Sequence, residues 1–186
     1  MPKLLKKMLL YHGSYCEVSN PDLSKCAKYK DFGQGFYLTS SEEQARNFAK
    51  ISVRKAIDNG LIVAQDFGFV SVFACSDPSC LHIKDYPIAN VDWLHCIVGH
   101  RRSRTFSDLV EQLIGYDVIA GKTANDNTNA TIAAYMRGVF GEVGTEIADR
   151  VCISLLLPDR LQDQYCFRTE KALSTLTFEW SDRVCL

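Results

Sequence analysis

Apolar residues occur in short runs separated by turn residues, and the runs show two different periods. Ala45, Phe48, Ala49, Ser52, Val53, Ala56 and Ile57 recur every three or four positions, which predicts an amphipathic helix ending at Asn59-Gly60. Ser40 with Glu43 fits a capping box at its start. Phe36-Tyr37-Leu38-Thr39 alternates instead, so as a strand it turns Phe36 and Leu38 to one face and Tyr37 and Thr39 to the other. Met8 to His12 predicts a buried strand that delivers His12 and Gly13 to a sheet edge or mouth.

The same reading gives strands over 70–75, 81–83, 116–120, 164–167 and 176–180. Helices are expected over 91–98, 107–114, 146–156 and 170–176, and another through about Arg137 that is capped by the polar run Thr123 to Asn127. The basic stretch from His100 to Arg104 reads as a solvated loop. Helices and strands intermix without regular alternation or a phosphate-loop fingerprint, which favours an α+β fold over a doubly wound sheet.

Composition narrows the class. A chain of 186 residues is one domain's length, so 1–186 is read as a single unit, and its 47% hydrophobic content suffices for a core. A formal net charge of −1 argues against a broadly basic nucleic-acid binder. No apolar run has the roughly 18 residues of a membrane span, and Met8-Leu9-Leu10-Tyr11 is too short for a signal peptide's apolar core. A soluble, cytoplasmic protein without a membrane partner is the expectation. In that compartment the eight cysteines read as mostly buried, inert thiols. Cys75, Cys80, His82, His95, Cys96 and His100 have metal-ligand chemistry but lack short Cys-x-x-Cys knuckles, and no metal is expected.

Three polar insertions sit at or near the ends of apolar strands. They are Tyr11-His12-Gly13-Ser14, then Asp31 through Thr39 with Gly33 and Gly35, then Asp163-Gln164-Tyr165-Cys166-Phe167. In this order they resemble the histidine, tyrosine and acid-or-amide signature of ADP-ribosyltransferases related to the poly-ADP-ribose polymerase and diphtheria-toxin branch. The chain is still more similar to the bacterial family called domain of unknown function 3990. Tyr116-Asp117-Val118-Ile119-Ala120-Gly121, Ala124-Asn125-Asp126, and Gln164 through Thr169 with Lys171-Ala172-Leu173 extend that likeness over about residues 8 to 178.

The resemblance implies a split β-sheet core with flanking helices and a cleft for NAD, which is the substrate and not a resident cofactor. His12 would hydrogen-bond a ribose hydroxyl, the Gly13 backbone would clasp the nicotinamide carboxamide, and Ser14 would assist. Tyr37 would lie against the nicotinamide ring, Gly35 would let the backbone approach, and Phe48 and Gln44 would complete the pocket. Asn125 and Asp126 would offer a helix start to the pyrophosphate or the acceptor. His12, Tyr37 and Gln164 are the implied catalytic set.

Gln164 stands where many relatives carry glutamate, and a neutral amide can orient a ribose but cannot remove a proton. The resemblance therefore points to transfer of a single ADP-ribose to a macromolecule, protein or nucleic acid, with water competing as acceptor. Asp126 or Glu170 could serve as the base. It also implies a toxin restrained by a small antitoxin-like protein. Two rivals remain: a catalytically silent module of the same fold that binds NAD or a partner, and a metal-stapled interaction domain.

Overall fold

The computed structural model describes residues 3–102, 104–124, 126–156 and 161–186. In chain order its strands are β1 (Leu9–Ser14), β2 (Phe36–Thr39), β3 (Phe67–Cys75), β4 (Ile83–Asp85), β5 (Val118–Lys122), β6 (Asp163–Phe167) and β7 (Leu176–Cys185). Its helices are α1 (Glu42–Asp58), α2 (Val91–Arg101), α3 (Ser107–Gln112), α4 (Asp126–Met136), α5 (Glu146–Leu155) and α6 (Glu170–Leu173). The strands form one mixed sheet in the order β4-β5-β6-β2-β1-β3-β7, in which only β4 and β5 run parallel. The fold is α+β, as the intermixed pattern indicates.

Several local expectations need correction. Of the two places expected for His12, an edge or a mouth, the edge is excluded: its strand runs on through Ser14 and is held between β2 and β3. The cap of α1 is Ser41, whose side chain accepts the Gln44 N–H, one residue later than the Ser40–Glu43 box. Its apolar stripe buries Ala45, Ala49, Val53 and Ala56 but leaves Phe48 exposed. β7 continues five residues past Trp180, because pairing with β3 satisfies its backbone even though most of its side chains face solvent. His100 and Arg101 belong to α2 and are not solvated, since one is buried and the other pairs with Asp31. Of the eight cysteines, all free, Cys75, Cys96, Cys152 and Cys166 are buried while Cys16, Cys80 and Cys185 are exposed.

Strand alternation sorts the core onto two faces. One face carries a cluster that includes Leu10, Phe36, Leu38, Phe73, Val118, Ala120, Tyr165 and Phe167, covered by Ala172 and Leu173 of α6. The opposite face is divided. Trp93, Leu94 and Ile97 of α2, with Ile132, Tyr135, Ala148 and Cys152, pack over Ile119 and Cys166. Separately, Ala45 and Ala49 of α1 pack over Val70, Val72 and Val184. Gly13 lets α1 settle here, because a Cβ on it would stand 2.0 Å from the Ala45 carbonyl oxygen.

Pairing between β1 and β2 is thin where those two helical layers meet. β1 matches β3 at six positions and β2 matches β6 at four, whereas β1 and β2 share the single pair Tyr11 and Thr39. The sheet therefore parts beyond that pair, beside His12 and Tyr37.

Candidate functional site

His12 lies where β1 and β2 separate. Its Nδ1 is 2.8 Å from the Tyr37 carbonyl oxygen, and because a carbonyl only accepts, Nδ1 carries the proton. Nε2 is then a lone-pair acceptor with no protein partner among the described residues. Burial holds the imidazole below its ordinary pKa of 6.5, opposed by the bond to Tyr37, so His12 is neutral near pH 7. Its ring tilts against Phe36 at a centroid distance of 4.5 Å, on the face away from the Tyr37 side chain.

Tyr37 closes the loop that precedes its own strand. Its hydroxyl donates to the Gly33 carbonyl at 2.8 Å and accepts the Phe32 N–H at 2.9 Å. Burial, with Cys166 and Asp31 nearby, keeps the phenol well above its usual pKa and hence protonated. Gly33 turns with φ +81°, and a Cβ on Gly35 would stand 2.5 Å from Cys166 Sγ. Both positions thus need glycine for the packing of this loop, whatever else the loop does.

Gln164 is buried on β6, beside Thr39 across the ladder and two positions from Cys166, which faces Tyr37. Its Nε2 donates to Asp31 Oδ2 at 2.9 Å and to the Lys122 carbonyl at 3.3 Å. With two acceptors on that side, the amide has one orientation, and Oε1 is left as an acceptor. Asp31 in turn receives Arg101 Nε at 2.9 Å, and Arg101 Nη2 reaches Asn129 Oδ1 at 2.7 Å. Asp163 points away, as alternation predicts, and pairs with Lys122 at 2.8 Å. Asp31, 133 positions earlier in the chain, thus brings a carboxylate against the Gln164 amide. The sequence pattern assigns Asp31 no role within its motif and makes Arg101 part of a solvated basic stretch. Their opposite charges were visible, but nothing in the local pattern joined them.

The remaining implied residues are dispersed around this centre. Gln44 is saturated, its Oε1 accepting from Thr39 Oγ1 at 2.6 Å and its Nε2 donating to Thr123 Oγ1 at 2.8 Å. Ser14 is buried at the end of β1, and Phe48 presents its ring to solvent from α1. Asp126 opens α4, Glu170 opens α6 and is exposed, and Asn125 lies outside the described residues. Tyr37 and Gln164 thus share one face, while the His12 imidazole reaches them only through the Tyr37 backbone. Cys75, Cys80, His82, His95, Cys96 and His100 do not gather: among the described residues no three His, Cys, Asp or Glu side chains form a metal-binding group. Among those residues, too, no helix is long and apolar enough to cross a membrane.

Residues 8–178 match the family described as Protein of unknown function (DUF3990). The match covers most of the chain, which therefore belongs to that family. No curated protein matches the sequence.

Proposed function

We propose, proceeding from that family membership, that the protein is a mono-ADP-ribosyltransferase acting on NAD, with a protein or nucleic-acid acceptor and water as a competitor. The observation that carries this reading is the parting of β1 from β2 with an unpartnered imidazole acceptor in the opening, while the Gln164 amide, locked in one orientation, lies with Tyr37 on the other face of the sheet. In this reading His12 Nε2 accepts from a ribose hydroxyl of the adenosine half. Gln164 Oε1 accepts from the nicotinamide ribose, and Asp31 keeps the amide turned that way. The Tyr37 ring and the exposed Phe48 are the aromatic surfaces offered to the nicotinamide.

The bond from nicotinamide to ribose breaks with its electron pair leaving on nicotinamide. The acceptor oxygen or nitrogen then bonds to the ribose carbon and gives up its proton to solvent or to a carboxylate, Asp126 or Glu170, acting as base. Fixed dipoles around a developing cationic ribose lower the barrier without rearranging during the reaction. Such an activity would harm its own cell, which is why a small neutralising partner belongs to the proposal.

A second reading is favoured by one detail. The Gln164 amide is turned to Asp31, and Asp31 is paired with Arg101, so among the described residues no unpaired carboxylate adjoins Gln164. A silent module that binds NAD without cleaving it has this arrangement too. Nicotinamide release by the purified protein decides between them. The transferase reading expects release that falls by about 100-fold or more in Tyr37→Ala and in His12→Ala. NAD binding without release gives the silent module, and undiminished release in both variants removes these residues from the reaction.

A further inference from the structure

A cleft of about 350 Å³ lies on the other side of the Gly33 turn, between that loop and the segment following β6. Leu23, Val110, Ile114 and Tyr116 give it apolar walls, and His100 and Arg168 stand among them as its two basic groups. Tyr116 is held flat by stacking on His82 at 4.5 Å, which stiffens that wall. Ser24, Gln34 and Thr169 complete the lining, so apolar walls and polar groups stand in about equal number, a mixture suited to a small molecule with an apolar body and a polar head.

His100 is the telling residue. It is only 8% exposed, and its Nδ1 donates to the Cys96 carbonyl at 2.8 Å, so its Nε2 is a lone-pair acceptor. That atom is buried and has no hydrogen-bond partner among the described residues. The ring edge carrying it turns toward Gly33, another wall residue: a Cβ there would stand 2.6 Å from His100 Cδ2 and 3.2 Å from Nε2. An unpaired buried acceptor is destabilising, and a ligand donor would relieve that cost. Arg168 uses one N–H on the Leu113 carbonyl, out of the five a guanidinium carries.

We propose that this cleft binds a small organic anion, an aromatic or aliphatic body carrying one oxyanion head, with the head held by Arg168 and reaching His100 Nε2 as the Gly33 turn that covers it shifts aside. The body lies against Tyr116 and Ile114, and the head shares one proton with His100 Nε2. Burial first, and Arg168 after it, keep His100 neutral in the empty protein, while the Cys96 carbonyl and Asp31 pull the other way. An incoming anion offsets Arg168, so binding draws a proton to the contact and strengthens as pH falls. The site is independent of any reaction with NAD.

Calorimetric titration of the full chain with phenyl phosphate and benzoate, and with benzyl alcohol as the uncharged probe, tests this. Expected is binding of at least one anion about tenfold or more tighter than the alcohol, weakened about tenfold in His100→Phe and in Arg168→Met. Whichever anion binds more tightly identifies the head as phosphate or carboxylate. Benzoate does not titrate near neutrality, so tightening of its binding from about pH 8 to about pH 6 reports His100 directly. No anion binding on the order of 10 mM, equal binding of the alcohol, or pH-independent benzoate affinity overturns the proposal. So does unchanged affinity in variants that keep the unfolding temperature of the parent. The uncharged probe and the pH series need no variant.

Discussion

The opening beside His12 and the wall behind Gly33 are built around the same device. In each, an imidazole donates Nδ1–H to a backbone carbonyl at 2.8 Å, Tyr37 in one case and Cys96 in the other, and burial holds the ring neutral. The regions differ in what meets Nε2. At His12 two strands part and the acceptor has no protein partner among the described residues. At His100 a glycine loop closes over it and leaves it buried without a partner. A backbone carbonyl is thus enough to choose the tautomer, and the neighbouring chain decides whether the remaining lone pair is a contact point or a cost.

Asp31 ties the two regions, taking the Gln164 amide on one side and Arg101, the helical neighbour of His100, on the other. Cutting that tie has the largest expected effect. Asp31→Ala strands a guanidinium whose side chain is 18% exposed, and removal of one member of such a pair costs about 3 kcal/mol. Urea unfolding measures it, and a loss below about 1 kcal/mol would mean that Asn129 alone suffices for Arg101.

The glycine cover can be isolated by comparing two left-handed glycines. Gly33 has φ +81° with the His100 ring in the way, while Gly60 has φ +68° with nothing within 4 Å. Gly60→Ala should cost about 1 kcal/mol for backbone strain alone, and Gly33→Ala about 2–3 kcal/mol because the ring must also move. Equal losses would show that the loop yields and that the closure over His100 is loose.

Acid should separate the imidazoles by a smaller margin. Both pKa values are lowered in the folded protein, so below 6.5 the unfolded chain binds more protons and stability falls with pH. The loss ends where the folded pKa is reached. Each slope is at most about 1.4 kcal/mol per pH unit, and His100 is expected to have the steeper one because its unpaired Nε2 is buried. Unfolding midpoints between about pH 7.5 and pH 5.5 should flatten more in His100→Gln than in His12→Gln. The reverse order would place the deeper burial at His12.

Local order was legible wherever neighbouring residues decide it. The alternation at Phe36–Thr39 named β2 to the residue and its two faces correctly, and the stop at Asn59-Gly60 is where α1 ends. Phe48 escaped that logic because a helical stripe tells which side is apolar, not how wide the surface beneath it is. α1 sits so close on Gly13 and Gly68 that alanines fill the contact and the larger ring is left outside.

By itself the chain's pattern determined an intermixed α+β sheet, the extent and faces of β2, and a motif order shared by the family, since strand and helix periods are set by residues a few positions apart. Only the folded molecule decided that Asp31 faces Gln164, that Arg101 leaves solvent to meet it, and that His100 is buried behind a glycine. Those contacts join residues separated by up to 133 positions, and an ion pair or a close approach leaves no period for a local pattern to carry.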